Sequence, residues 1–191
     1  QAKSGFRQPT PGEECDVILE LFAGTGSISK AVHGINKPYP PTDFLQSISR
    51  GRPIKIVSLD MVGDHDKKLK EKGTFHAKQA GIHFKPDIVC DIMDWDYETF
   101  CKEYEGRILF ITASPPCAPH SKSNAKKDDY STPELAAKNT ADKAMSKLLW
   151  GRVRDIIAYA KPVGYSLENP WTGDVVDKLD EWFPGEPIFK N

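Results

Sequence analysis

Apolar positions along this chain gather into short blocks of strand length, separated by segments that are either polar or carry a helical period. Residues 15–22, CDVILELF, form a nearly continuous apolar run, the pattern of a strand covered on both faces. Residues 54–59, 87–90, 108–112 and 163–167 repeat it in shorter form. Between these runs the spacing predicts helices over 28–33, around 44–48, over 95–104, from 133 to about 160, and over 174–182. Residues 64–78 are charged and read as solvated, while residues 120–130 are polar without period and read as a mobile loop. Strands alternating with helices predict an α/β domain with a mostly parallel sheet and helices on both faces. Residues 1–14, polar and interrupted by proline, read as a lead-in tail, and residues 15–191 as one domain.

The ends of the predicted strands are chemically unusual. The first runs into Ala23-Gly24-Thr25-Gly26-Ser27, the second into Asp60-Met61, the third into Asp91-Ile92, the fourth into Ser114-Pro115-Pro116-Cys117, and the fifth into Glu168-Asn169-Pro170. In parallel α/β sheets ligands lie beyond the carboxyl ends of the strands, so five such features on one rim predict a shared pocket. Glycines allow a close backbone approach to a ligand, or simply a tight turn; the third glycine of a dinucleotide fingerprint is replaced by Ser29. Asp60 suits a ribose diol, or the cap of a following helix. Cys117 stands on a stiff double-proline shelf just past a strand, which fits a nucleophile and equally a buried structural thiol. Glu168 supplies an acid on the same edge.

Composition narrows the classes. With 191 residues, 39% apolar and 28% charged, the chain can build a real core. A net charge of -1 gives no global case for a polyanion partner. The stretch from His120 to Arg154 is locally basic, with eight Lys or Arg against four Asp or Glu, as in a phosphate-facing patch or a solvated helix face. The four cysteines are scattered without a C-x-x-C pair, which argues against zinc and favours reduced thiols in an intracellular setting. No apolar run is long enough to span a bilayer. Residue 1 is Gln and no leader pattern follows, so a segment of a longer product is expected.

Three motifs in order carry a resemblance. Leu21-Phe22-Ala23-Gly24-Thr25-Gly26-Ser27 resembles the cofactor-binding signature of cytosine-C5 DNA methyltransferases, Ser114-Pro115-Pro116-Cys117 with His120-Ser121 resembles their catalytic Pro-Cys signature, and Glu168-Asn169-Pro170 resembles their Glu-Asn-Val signature. The resemblance implies a Rossmann-like class I methyltransferase fold, incomplete at its C-terminus, that uses S-adenosylmethionine and releases S-adenosylhomocysteine. It implies that Phe22 packs on the adenine, that Asp60 with Met61 meets the ribose, and that Asp91 and Ile92 meet the base. Ala23, Gly24, Thr25, Gly26, Ser27 and Pro115 would complete the cofactor cradle. It further implies Cys117 as the nucleophile on cytosine C6 and Glu168 as the acid at its N3 and N4 edge, with Pro116, Ser121, Lys122 and Asn169 on the substrate side. The implied partner is DNA with the target base flipped out, or RNA as a close variant, and the implied location is nuclear in a eukaryote.

The pattern departs from the family at Ala118, where Gln is usual, at His120, often Phe, and at Pro170, usually Val. No Gln-x-Arg-x-Arg segment or target-recognition region follows Glu168. A missing C-terminal region, a second chain that completes the domain, or a reduced relative that binds cofactor without efficient turnover are the corresponding expectations. A noncatalytic S-adenosylmethionine-binding module is the alternative from another class. An amino-group methyltransferase would want an aromatic residue where Cys117 stands.

Overall fold

The structure is a computed structural model, and it describes residues 11–24, 26, 52–63, 85–120, 129–169 and 183–184. Five strands and two helices are found among them: β1 (Asp16–Leu21), β2 (Ile54–Asp60), β3 (Ile88–Val89), α1 (Tyr97–Glu103), β4 (Ile108–Ala113), α2 (Pro133–Ala160) and β5 (Gly164–Leu167). All pairings are parallel, in the order β3-β2-β1-β4-β5. The chain therefore starts at the centre, steps outward to β3, and returns past β1 to continue through β4. That reversal opens a crevice between the carboxyl ends of β1 and β4, the position where Rossmann-like α/β folds bind ligands.

The apolar runs become strands because they can be buried on both faces. Every residue of β1 is buried, and Val17, Leu19 and Leu21 alternate with Ile18 between two clusters. One cluster joins Val17, Leu19, Leu21, Val57, Leu59, Ile111 and Ala113 to Trp95, Cys101 and Tyr104 near α1 and to Val153 and Ile156 of α2. The opposite face carries Ile18, Ile54, Ile56 and Leu109, with Phe110 against them. A bulge lets β4 serve both: Val17 pairs with Ile108 but Ile18 with Phe110, so Leu109 is the extra residue. The connections β3 to β4 and β4 to β5 run the same way across the sheet, and right-handed crossovers put α1 and α2 on one face. The helices expected over 28–33, around 44–48 and over 174–182 lie outside the described residues.

Local chemistry sets the boundaries. Helix α2 begins where Thr132 Oγ1 accepts the Leu135 N–H at 3.3 Å, with Pro133 in the first turn. It ends at Lys161, left-handed at φ 48° and followed by Pro162. Helix α1 is shorter than its apolar period suggested, because the Asp96 carboxylate caps it by accepting from Thr99 N–H at 3.0 Å. Strand β3 has two residues; its approach is held instead by Asp87, whose carboxylate accepts from Ser58 N–H at 2.9 Å and Ser58 Oγ at 2.7 Å. No described helix is long and apolar enough to cross a membrane.

Candidate cofactor and substrate site

The β1 exit is a chain of positive φ angles: Phe22 at 57°, Gly24 at 55° and Gly26 at 71°. A Cβ on Gly24 would meet nothing closer than the Phe22 carbonyl at 3.9 Å, so backbone conformation rather than lack of space selects glycine there. Phe22 has no such freedom, and its left-handed conformation costs on the order of 1–3 kcal/mol. Its neighbours offset that cost: the side chain packs against the main core, and the Ala23 N–H donates to the Leu59 carbonyl at 3.0 Å. Gly26 N–H closes the turn onto the Ala23 carbonyl at 2.7 Å.

Asp60 ties three turns together. Its Oδ2 accepts the Gly24 N–H at 2.9 Å, its Oδ1 accepts the Val62 N–H at 2.8 Å, and its backbone carbonyl accepts the Cys90 N–H at 3.2 Å. The residue is 7% exposed. Beside it Met61 is exposed. At the β3 exit, Asp91 Oδ1 accepts the Met93 N–H at 2.9 Å and its carbonyl accepts the Asp94 N–H at 3.0 Å, while Ile92 is buried in the core. Burial, and then Asp91 and Asp94, push the Cys90 thiol above its ordinary range.

The β4 and β5 exits are joined directly. Glu168 N–H donates to the Ala113 carbonyl at 2.9 Å, and Asn169 Nδ2 donates to the Pro115 carbonyl at 3.1 Å. Pro115 is buried and Pro116 exposed; Cys117 is half-buried and the Glu168 side chain exposed. His120 N–H turns the chain back onto the Cys117 carbonyl at 2.9 Å, and His120 itself is buried. Leu21, in turn, accepts Ser114 N–H at 3.4 Å, which joins this pair of exits to the glycine turn. Thiol and carboxyl thus belong to neighbouring exits on one rim. All four cysteines are free thiols, and Cys101, on the buried face of α1, is the inert kind, its thiol pushed up to about 11 by burial.

Of the residues singled out from the sequence, Phe22, Ala23, Gly24, Gly26, Asp60, Met61, Asp91, Ile92, Pro115, Pro116, Cys117, Glu168 and Asn169 lie at these strand exits. Thr25, Ser27, Ser121 and Lys122 lie outside the described residues. Two residues escaped the sequence reading. Glu20 is a carboxylate only 4% exposed, one residue short of the β1 exit and level with Ser58 and Thr112 on the flanking strands. Its signal was an acid inside an otherwise apolar run. Arg152, on α2, donates Nε to the Ile92 carbonyl at 3.0 Å and Nη2 to the Trp95 carbonyl at 2.7 Å; in the sequence it is one basic residue among eight.

The donor set fits a nucleoside cofactor that carries positive charge: a glycine turn for close backbone approach, a buried carboxylate at the β2 exit, and Glu20 and Asp91 nearby as further acids. Among the described residues no group of three or more His, Cys, Asp or Glu gathers as if to hold a metal ion.

Sheet order and the flanking helices define a Rossmann-like α/β protein whose strand order reverses between β1 and β4. No family model matches the chain. A curated relative, the probable DNA (cytosine-5)-methyltransferase of Frog virus 3 (isolate Goorha), is 31% identical over 98 residues, which make up 50% of this chain and 44% of that protein. The chain spans less than half the length of the relative it matches. This likeness links it to the methyltransferase superfamily.

Proposed function

We propose that the chain is a catalytic segment of an S-adenosylmethionine-dependent methyltransferase that modifies C5 of cytosine in DNA, in the reducing interior of a cell. The observation that carries this reading is the pair of bonds from Glu168 and Asn169 to Ala113 and Pro115, which keeps an acid and a thiol on adjacent exits. The order of the three motifs and the likeness to the viral relative support it. When bound, the cofactor supplies an electrophilic methyl group.

Cytosine C5 is too poor a nucleophile to take that methyl unaided. The Cys117 thiolate adds to C6, forming the S–C6 bond and pushing the C5–C6 π electrons toward C5 and N3. Glu168 donates to N3 as negative charge develops there and accepts from the N4 amine, which also selects cytosine. C5 takes the methyl, a general base or solvent removes the C5 proton, and the electron pair that remains restores the C5–C6 double bond and expels the thiolate. Because C5 lies within a duplex stack, the base must be extruded to reach Cys117.

Trapping tests this directly. A duplex with 5-fluorocytosine blocks proton loss from C5, so the chain with S-adenosylmethionine should form a covalent adduct that is lost in Cys117→Ala. An adduct on an RNA oligonucleotide but not on DNA would reassign the substrate. Cofactor binding with no adduct on either, from a chain completed at its C-terminus, would favour the noncatalytic module.

A further inference from the structure

We infer that Arg152 is a positioning residue for the adenine edge of the cofactor site, acting through the Ile92 and Trp95 carbonyls. The inference rests on the reading of this rim as an S-adenosylmethionine site. Strand β3 has two residues and pairs with β2 only at Leu59–Ile88 and Asp60–Val89, so the ladder does little to orient the turn that follows. Within that turn, the Asp91 carboxylate and carbonyl are used on Met93 and Asp94 N–H groups, which gives the loop its shape but not its position on the sheet.

Position comes from three directions, the first being the Asp60 carbonyl, which accepts the Cys90 N–H at 3.2 Å at the start of the turn. The Ile92 side chain is anchored in the core beneath, at 3% exposure. From α2, the Arg152 guanidinium bridges the carbonyls on either side of the turn, Ile92 at 3.0 Å and Trp95 at 2.7 Å, while its Cζ lies over the Tyr97 ring, 4.4 Å from the centre. Tyr97 is itself braced edge-on by Tyr159 of α2 at 5.7 Å. A planar fork that lies over a ring and is bonded to two carbonyls has little rotational freedom. Lysine, a point charge without a plane, cannot reproduce both bonds and the ring contact together. Without the guanidinium, the Ile92 carbonyl loses this donor and the Trp95 carbonyl keeps the Tyr97 N–H at 2.9 Å, so the tie from α2 to the turn is gone and the Asp91 carboxylate, which faces the base edge in this reading, loses its fixed position.

The consequence is one of specificity. A carboxylate held at the base edge accepts from the 6-amino group of adenine and repels the 6-oxo group of hypoxanthine. Binding of S-adenosylhomocysteine and of its deaminated analogue S-inosylhomocysteine to the 191-residue chain, measured by calorimetry for wild type, Arg152→Gln and Arg152→Lys, tests this. Wild type should prefer the adenine ligand. Arg152→Gln should lose roughly tenfold in affinity for S-adenosylhomocysteine with little change for the inosyl analogue, so that the preference collapses. Arg152→Lys keeps the charge and the aliphatic stem; it should fold as wild type does and fall between the two. Equal losses for both ligands would mean a merely structural arginine and would overturn the inference, as would an unchanged preference in both variants or no preference in wild type. If wild type bound neither ligand, the cofactor reading itself would fall, and this inference with it.

Discussion

The two halves of the rim are built differently. On the β1–β2–β3 side nearly every turn is stapled: Asp60 holds the Gly24 and Val62 amides and the Cys90 N–H, Asp91 holds its own loop, and Arg152 clamps that loop from outside. On the β4–β5 side the bonds described among the exits are those of Glu168 N–H and the Asn169 side chain, with Cys117 half-buried and Glu168 exposed. The stapled half suits a ligand of constant shape, which gains affinity when the site exists before it arrives. In the proposed reaction the half with Glu168 exposed meets a large substrate, whose base enters between the thiol and the acid. Strain follows the same division, since Phe22 is left-handed inside the stapled turn where many neighbours hold it.

The comparison predicts which variants separate binding from chemistry. Cys117→Ala should lower product formation by about a thousandfold or more and abolish the fluorocytosine adduct, with S-adenosylhomocysteine affinity unchanged in calorimetry. Asp60→Ala, on the opposite half, orphans two backbone N–H groups; it should weaken S-adenosylhomocysteine roughly a hundredfold and cost about 2 kcal/mol of stability in urea unfolding. If it left binding intact, the division would be wrong. Asn169→Ala should slow adduct formation roughly tenfold by freeing Pro115, while cofactor affinity holds. The smallest effect is expected at the α2–β5 join, where Lys161→Gly relieves a left-handed residue and should raise stability by about 0.5–1 kcal/mol, with neither binding nor chemistry altered.

Much of the scaffold was legible in the chain. The apolar runs at 54–59 and 108–112 match β2 and β4 to within a residue, and the helix expected from residue 133 to about 160 coincides with α2. The double proline after β4 and the Thr132-Pro133 start of α2 are local stereochemistry that any reader of the sequence can see. The polar residues at the strand ends could be picked out for the same reason, because a run of apolar residues that stops has an end wherever it folds. Three features were not legible: the helix limits at α1, where Asp96 caps late, the extra residue Leu109, and the shortness of β3.

What each strand end does was a different kind of question. Asp60 could be named as an acid beyond β2, but not as the acceptor for an amide 36 residues earlier; Asn169 reaches a carbonyl 54 residues away, and Arg152 one 60 residues away. Periodicity, proline and glycine act within a turn or two of backbone, so the chain by itself determines its elements and the residues that end them. Strand order, the crevice between β1 and β4, and the bonds that shape its walls depend on which distant segments come to lie side by side. Only packing of the whole sheet decides that, because each of those contacts is stabilised by burial that no single segment can supply alone.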